Sequence, residues 1–145
     1  MIGGIMLHKI LVGYDGSAAS HNAFEFALDL AKKYGAELHL LAVTHPPEFG
    51  GEEETEAVIE NSHRHHFEML QNLKSGLKGI DSLQLHTEVT IGHPAEQLVI
   101  YAEKHGIDHI VVGHRGRSVF ERWLLGSIAR QVIAYARCAV TVVRK

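Results

Sequence analysis

Five short aliphatic runs alternate with four segments of helical period along this chain, and that alternation restricts the fold more than any other feature. The runs are His8 to Tyr14, Glu37 to Val43, Leu83 to Ile91, Asp108 to Val112 and Ala139 to Val143. Their length, their β-branched content and the turn residues around them predict strands. Between them the spacing predicts helices over about Ala18 to Tyr34, Glu54 to Leu77, Ala95 to His105 and Ser127 to Ala136. Ala23, Phe24, Ala27, Leu30, Ala31 and Tyr34 fall on one face of the first. Val58, Phe67, Leu70, Leu73 and Leu77 can face inward from the second, and Ala95, Leu98, Val99 and Ala102 from the third. Gly35 and Gly106 are helix stops, and Pro94 suits a first helical turn. Strands alternating with helices pair in parallel through right-handed crossovers. Nearly continuous apolar strands are covered on both faces. The expectation is one α/β domain over residues 1–145: a doubly wound, Rossmann-like, five-stranded parallel sheet with helices on both faces.

Composition narrows the function classes. A formal net charge of −3 offers no basic field for nucleic acid or an anionic membrane, although the twelve histidines can alter that at acid pH. No apolar run approaches the ~20 residues of a membrane span. The apolar start, Met1 to Leu7, lacks a basic region and a cleavage site, so it reads as a lead-in to the first strand, with Met6 an alternative start. One cysteine, Cys138, excludes an intrachain disulfide and suits a reducing, cytoplasmic setting. Cys138 itself reads as a small buried apolar residue.

In open α/β sheets, ligands sit beyond the carboxyl ends of the strands where strand order reverses. Two such ends carry informative residues. The first is Gly13-Tyr14-Asp15-Gly16-Ser17. The second begins Gly113-His114-Arg115-Gly116-Arg117 and closes on Gly126-Ser127 at a helix start. Gly113 and Gly116 can take positive φ and let backbone N–H groups approach a phosphate. Gly126-Ser127 adds the free amides and dipole of a helix N-terminus, and Arg115 and Arg117 add charge. His114 lies within the same loop. Bland readings stand beside these: turn and capping roles for Asp15 and Ser17, and solvated charges for the arginines. There is no Walker loop and no G-x-G-x-x-G fingerprint.

The segments K-I-L-V-G-Y-D-G-S, A-L-D-L-A-K-K-Y-G-A-E-L-H-L-L-A-V, G-H-P-A-E-Q-L, D-H-I-V-V-G-H-R-G-R-S and L-L-G-S-I-A-R-Q-V together resemble the universal stress protein family over nearly the whole chain. ATP-binding members carry G-x2-G-x9-G-[ST], matched here by Gly113, Gly116, Gly126 and Ser127. The resemblance implies an adenine nucleotide alpha hydrolase-like fold that binds ATP, AMP or ADP, with Mg²⁺ or Mn²⁺ held through the phosphates. It implies that Asp15 lies at the ribose and adenine end, that Gly13, Tyr14, Val43 and Val112 line the base, and that Ile128 and Ala129 cap the phosphates through backbone. Gly13-Tyr14 stands where many members have Pro-Val, so Tyr14 can stack on or crowd the base. It further implies a cytoplasmic homodimer paired through the edge strand Ala139 to Val143, acting on an unidentified protein partner in a stress response.

No catalytic residue is assigned. The loop holds no lysine and no S-G-G-x-D-S motif, and Asp15 sits at the wrong end for phosphoryl transfer. A slow ATPase or a nucleotidyl- or phosphoryl-transfer enzyme on the same fold is the alternative. No metal site is assigned either: His63, His65 and His66 read as solvated, since Arg64 lies between them and no cysteine is near. Trp123, among Phe120, Leu124 and Leu125, reads as a hydrophobic lid on the sheet or a partner-contact surface.

Overall fold

Ile10, Leu11 and Val12 are all sealed from solvent, so strand β1 (Lys9–Gly13) is covered on both faces. Alternate side chains point to opposite sides of a sheet. Ile10 and Val12 therefore enter one apolar cluster, and Leu11 the other. The computed structural model describes residues 7–48, 50–114 and 125–144. Within them β1 is followed by α1 (Ala18–Tyr34), β2 (Glu37–Thr44), α2 (Glu52–Ser75), β3 (Leu85–Ile91), α3 (Pro94–His105), β4 (His109–Gly113), α4 (Ser127–Tyr135) and β5 (Ala139–Val143). All pairings are parallel, in the order β3-β2-β1-β4-β5. The expected α/β fold is thus the observed one.

Helices α1 and α2 cover one face, where Phe24, Ala27, Ala31 and Leu70 pack on Ile10, Val12, Leu38 and Leu40. Helices α3 and α4 cover the other, where Leu98, Ala102, Ala129 and Val132 pack on Leu11, Leu41, Ile110 and Val112. Each fully buried leucine or phenylalanine contributes roughly 1.5–3 kcal/mol of burial. Helix α1 begins where the Ser17 hydroxyl accepts from the Ser20 amide, and ends where Gly35 turns left-handed at φ 65°.

Helix α2 departs from its sequence pattern. Val58 and Phe67 are 51% and 55% exposed, not inward. Only Leu70 is fully buried, with Met69, Leu73 and Leu77 partly buried beside it. The reason is topological: β3 is an edge strand, so the sheet supports α2 along one flank only. Tyr34 also turns out to solvent at the end of α1, and Val99 is only half-buried, while Tyr101 takes the buried place on α3.

Candidate functional site

The chain lays down β1, β2 and β3 outward in one direction and then places β4 on the other side of β1. The connections leaving β1 and β4 therefore diverge to opposite faces, which opens a crevice at their carboxyl ends. A cleft of about 240 Å³ lies there, just below the usual range of about 300–1,000 Å³ for small-molecule sites. Its walls include Gly13, Tyr14, Asp15, Val43, Val112, Gly113, Gly126, Ser127, Ile128 and Ala129, which gathers the residues expected at both strand ends. Ser17, Ala19, Ser20, Leu41, Pro94 and Leu98 complete the walls; Ser17 was read as a cap, and the other five escaped the sequence reading. Pro94 and Leu98 belong to the start of α3, which opens at the same edge after Gly92-His93. That turn was the available signal. Arg115, Gly116, Arg117 and Trp123 lie outside the described residues.

The β1–α1 turn satisfies itself. Asp15 Oδ1 accepts from the Ser17 amide at 2.9 Å, and the Asp15 amide donates to Ser20 Oγ at 3.3 Å. Ser17 Oγ accepts from the Ser20 amide at 3.2 Å. Gly16 supplies the required positive φ of 83°. The Tyr14 ring packs edge-on against Phe24 in the core, so its position is set by packing. Its phenol is pushed above the usual value, chiefly by burial and secondarily by the Asp15 charge. His21 Nε2 lies 3.2 Å from Glu25, which favours a proton on that nitrogen and leaves Nδ1 to accept from the Tyr14 hydroxyl at 3.2 Å.

The β4 side is built differently. Gly113 was expected to use positive φ beside a phosphate, yet it has no positive φ. A Cβ there would collide with the Ala19 carbonyl oxygen and come within 2.6 Å of its carbon. Gly113 is glycine because the first turn of α1 packs onto the end of β4. Gly13 acts similarly toward α3, where a Cβ would meet the Leu98 methyls at 3.1–3.2 Å. His114 is buried, its amide donates to the Val143 carbonyl at 2.8 Å, and it is not among the cleft-lining residues. Gly126, at φ −60° and ψ 155°, is the N-cap of α4 and gives it no side-chain cap. Among the described residues no side chain caps the amides of the first turn, and Gly126, Ser127, Ile128 and Ala129 all border the cleft.

Of the α2 histidines, His66 is not simply solvated. Its Nδ1 lies 3.0 Å from the buried Thr44 hydroxyl at the end of β2. Burial pulls its pKa below the usual value, aided by His65 and His63 and opposed by Asp15.

The chain matches the model of the universal stress protein family over residues 6–144. It is 36% identical over 140 residues to a universal stress protein of Methanocaldococcus jannaschii, covering 94% of this chain and 82% of the relative. Among solved structures it superposes on the universal stress protein UspA from Lactobacillus plantarum with a TM-score of 0.83 at 24% identity, covering 97% and 100% of the two chains. Two further structures of the same fold hold adenine nucleotides. One is a universal stress protein in complex with cAMP, at TM-score 0.64 and 23% identity, covering 96% of this chain and 98% of that one. The other is a family protein from Arabidopsis thaliana with AMP bound, at TM-score 0.63 and 16% identity, covering 95% and 92%.

Proposed function

This chain belongs to the universal stress protein family, and on that premise we propose that it binds ATP in the cleft between β1 and β4 as a nucleotide-dependent module of a stress response. The observation that carries the reading is the convergence of an apolar slot and an uncapped helix start in one cleft. Leu41, Val43 and Val112 offer a purine apolar walls. Asp15, whose Oδ1 accepts from the Ser17 amide, borders the cleft where the family pattern puts the ribose. The α4 amides and the exposed Ser127 hydroxyl receive phosphate oxygens, aided by the dipole. Gly116, Arg115 and Arg117 extend the phosphate end by the family pattern, with Mg²⁺ or Mn²⁺ held through the phosphates. Among the described cleft residues there is no lysine, arginine or histidine, and Asp15 is the lone carboxylate. That set binds and orients, and supplies no evident base or leaving-group acid. The same reading places the protein in the cytoplasm as a homodimer paired through β5, an edge strand of the sheet.

Protein purified without added nucleotide, then denatured, is expected to release an adenine nucleotide or, if empty, to bind ATP on titration. Absence of both overturns the reading. Turnover on the order of 1 s⁻¹ with Mg²⁺ would make it an enzyme instead. Gly116→Val is expected to lose ATP and keep its fold. Gly113 cannot serve this test, because its substitution strikes the α1 contact first. Light scattering tests the dimer.

A further inference from the structure

Glu37 and His39 are two residues apart on β2 and so project from the same face of the sheet. The parallel register sets His86 of β3 directly beside His39. Glu37 Oε1 lies 3.4 Å from His39 Nε2 and 3.1 Å from His86 Nε2, and the three potential donor atoms all fall within 4.8 Å of one another. Bonds of about 2.0–2.1 Å to a tetrahedral centre give donor-to-donor edges of about 3.3–3.4 Å. The two measured edges sit close to that value.

His39 is the informative member. It is only 4% exposed, and its buried Nε2 makes no well-formed hydrogen bond among the described residues, with Glu37 Oε1 standing off at 3.4 Å. A buried nitrogen so weakly satisfied is costly. Its other nitrogen, Nδ1, is 2.7 Å from the Tyr101 hydroxyl of α3. Without an ion, the Glu37 carboxylate favours a proton on Nε2; in the metal-bound form that proton leaves, Nδ1–H donates to the Tyr101 oxygen, and the Nε2 lone pair faces Glu37 and His86. A metal-ligating histidine is usually held in this way by an outer partner. His86 and Glu37 are partly exposed, so an ion has a route in.

We propose that Glu37, His39 and His86 bind one divalent first-row transition cation, Zn²⁺ by the character of the two-imidazole, one-carboxylate donor set, with a water at the fourth position. The two stacked rings, centroids 4.5 Å apart, splay as the ion enters between their nitrogens and the carboxylate. The ion would tie the edge strand β3 to β2. Glu37 is six residues along β2 from Val43 in the nucleotide cleft, about 20 Å at the rise of a strand. The site therefore stands independently of nucleotide binding.

The test uses the full chain, stripped with chelator and titrated calorimetrically with Zn²⁺, and with Co²⁺ as a visible-absorption probe. One equivalent is expected to bind, with Co²⁺ showing the absorption of a four-coordinate centre. His86→Ala removes a half-exposed ligand and should weaken Zn²⁺ by more than about 10-fold, and Tyr101→Phe, which deletes only the outer hydroxyl, by about 10-fold. Circular dichroism confirms that both remain folded. His63→Ala on α2 should leave the affinity unchanged. Binding no tighter than ~100 µM, an affinity indifferent to His86→Ala, or a loss that follows His63→Ala instead would each overturn the proposal and leave Glu37, His39 and His86 as a hydrogen-bonding cluster only.

Discussion

Helices α1 and α4 both start at the carboxyl edge of the sheet and both border the same cleft, yet their ends are finished in opposite ways. The α1 start is closed by its own side chains: Asp15 caps the Ser17 amide, Ser17 caps the Ser20 amide, and the Ser20 hydroxyl donates back to the Ser17 carbonyl at 3.0 Å. The α4 start has glycine as its cap residue and, among the described residues, no such bond. A helix end that satisfies itself can shape a site but has few donors left for a ligand. An end without a cap retains them. The first end fixes where the cleft wall stands, and the second supplies the amides that can hold an anion.

The sharpest way to break that division is at Gly113, where the two sides touch. Gly113→Ala forces a Cβ against the backbone of Ala19, which has no flexible end to move away. Overpacking of this kind costs typically 1–3 kcal/mol, and backbone contact puts the expectation near the top, about 3 kcal/mol of stability in urea denaturation. Wild-type stability would show that the α1 contact yields easily. Ser17→Ala comes next. It should cost about 1 kcal/mol of stability by losing the cap, while the ATP affinity changes less than about 2-fold. Ser127→Ala is expected to reverse that pattern. The hydroxyl is exposed and makes no cap, so stability should stay within about 0.5 kcal/mol. ATP should bind roughly 5-fold more weakly, matching the ~1 kcal/mol of one hydrogen bond. If Ser17→Ala were the variant to lose ATP, the two helix ends would have to exchange roles.

Local chemistry explains which parts of this could be read in advance. Helix α1 was legible to the residue because Ser17 and Gly35 mark its ends by their own side chain and their lack of one. Strand β3 starts at Leu85, not Leu83, because the Leu83 amide is drawn into a turn with the Ile80 carbonyl at 2.8 Å. The cleft was legible where residues flank strand ends and opaque where a distant element leans in, as Leu98 does from α3. Gly113 lines the cleft without the positive φ open to it in sequence, and what demands a glycine there is Ala19, 94 positions earlier in the chain. His39 illustrates the same limit: its partners Tyr101 and His86 are joined to it by packing and register, and no spacing in the sequence displays them.

The smallest expected effect concerns the half-buried His66, which links the self-capped side to α2. Its folded pKa lies below the ordinary 6.5, and those of His39 and His109 are lowered likewise, in each case mainly by burial. Below pH 6.5 the unfolded chain therefore binds more protons than the folded one. Stability is intact above that pH and is lost as pH falls through the folded values. His66→Gln should shallow this acid-side loss in pH-dependent denaturation. Asp15 acts on His66 in the opposite sense, holding its pKa up. Asp15→Asn keeps an oxygen for the Ser17 amide but removes the charge, so the His66 pKa, followed by proton NMR, should fall further. An unchanged pKa would mean that the Asp15 charge is not felt across the turn, and that the self-capped side is electrostatically isolated from α2.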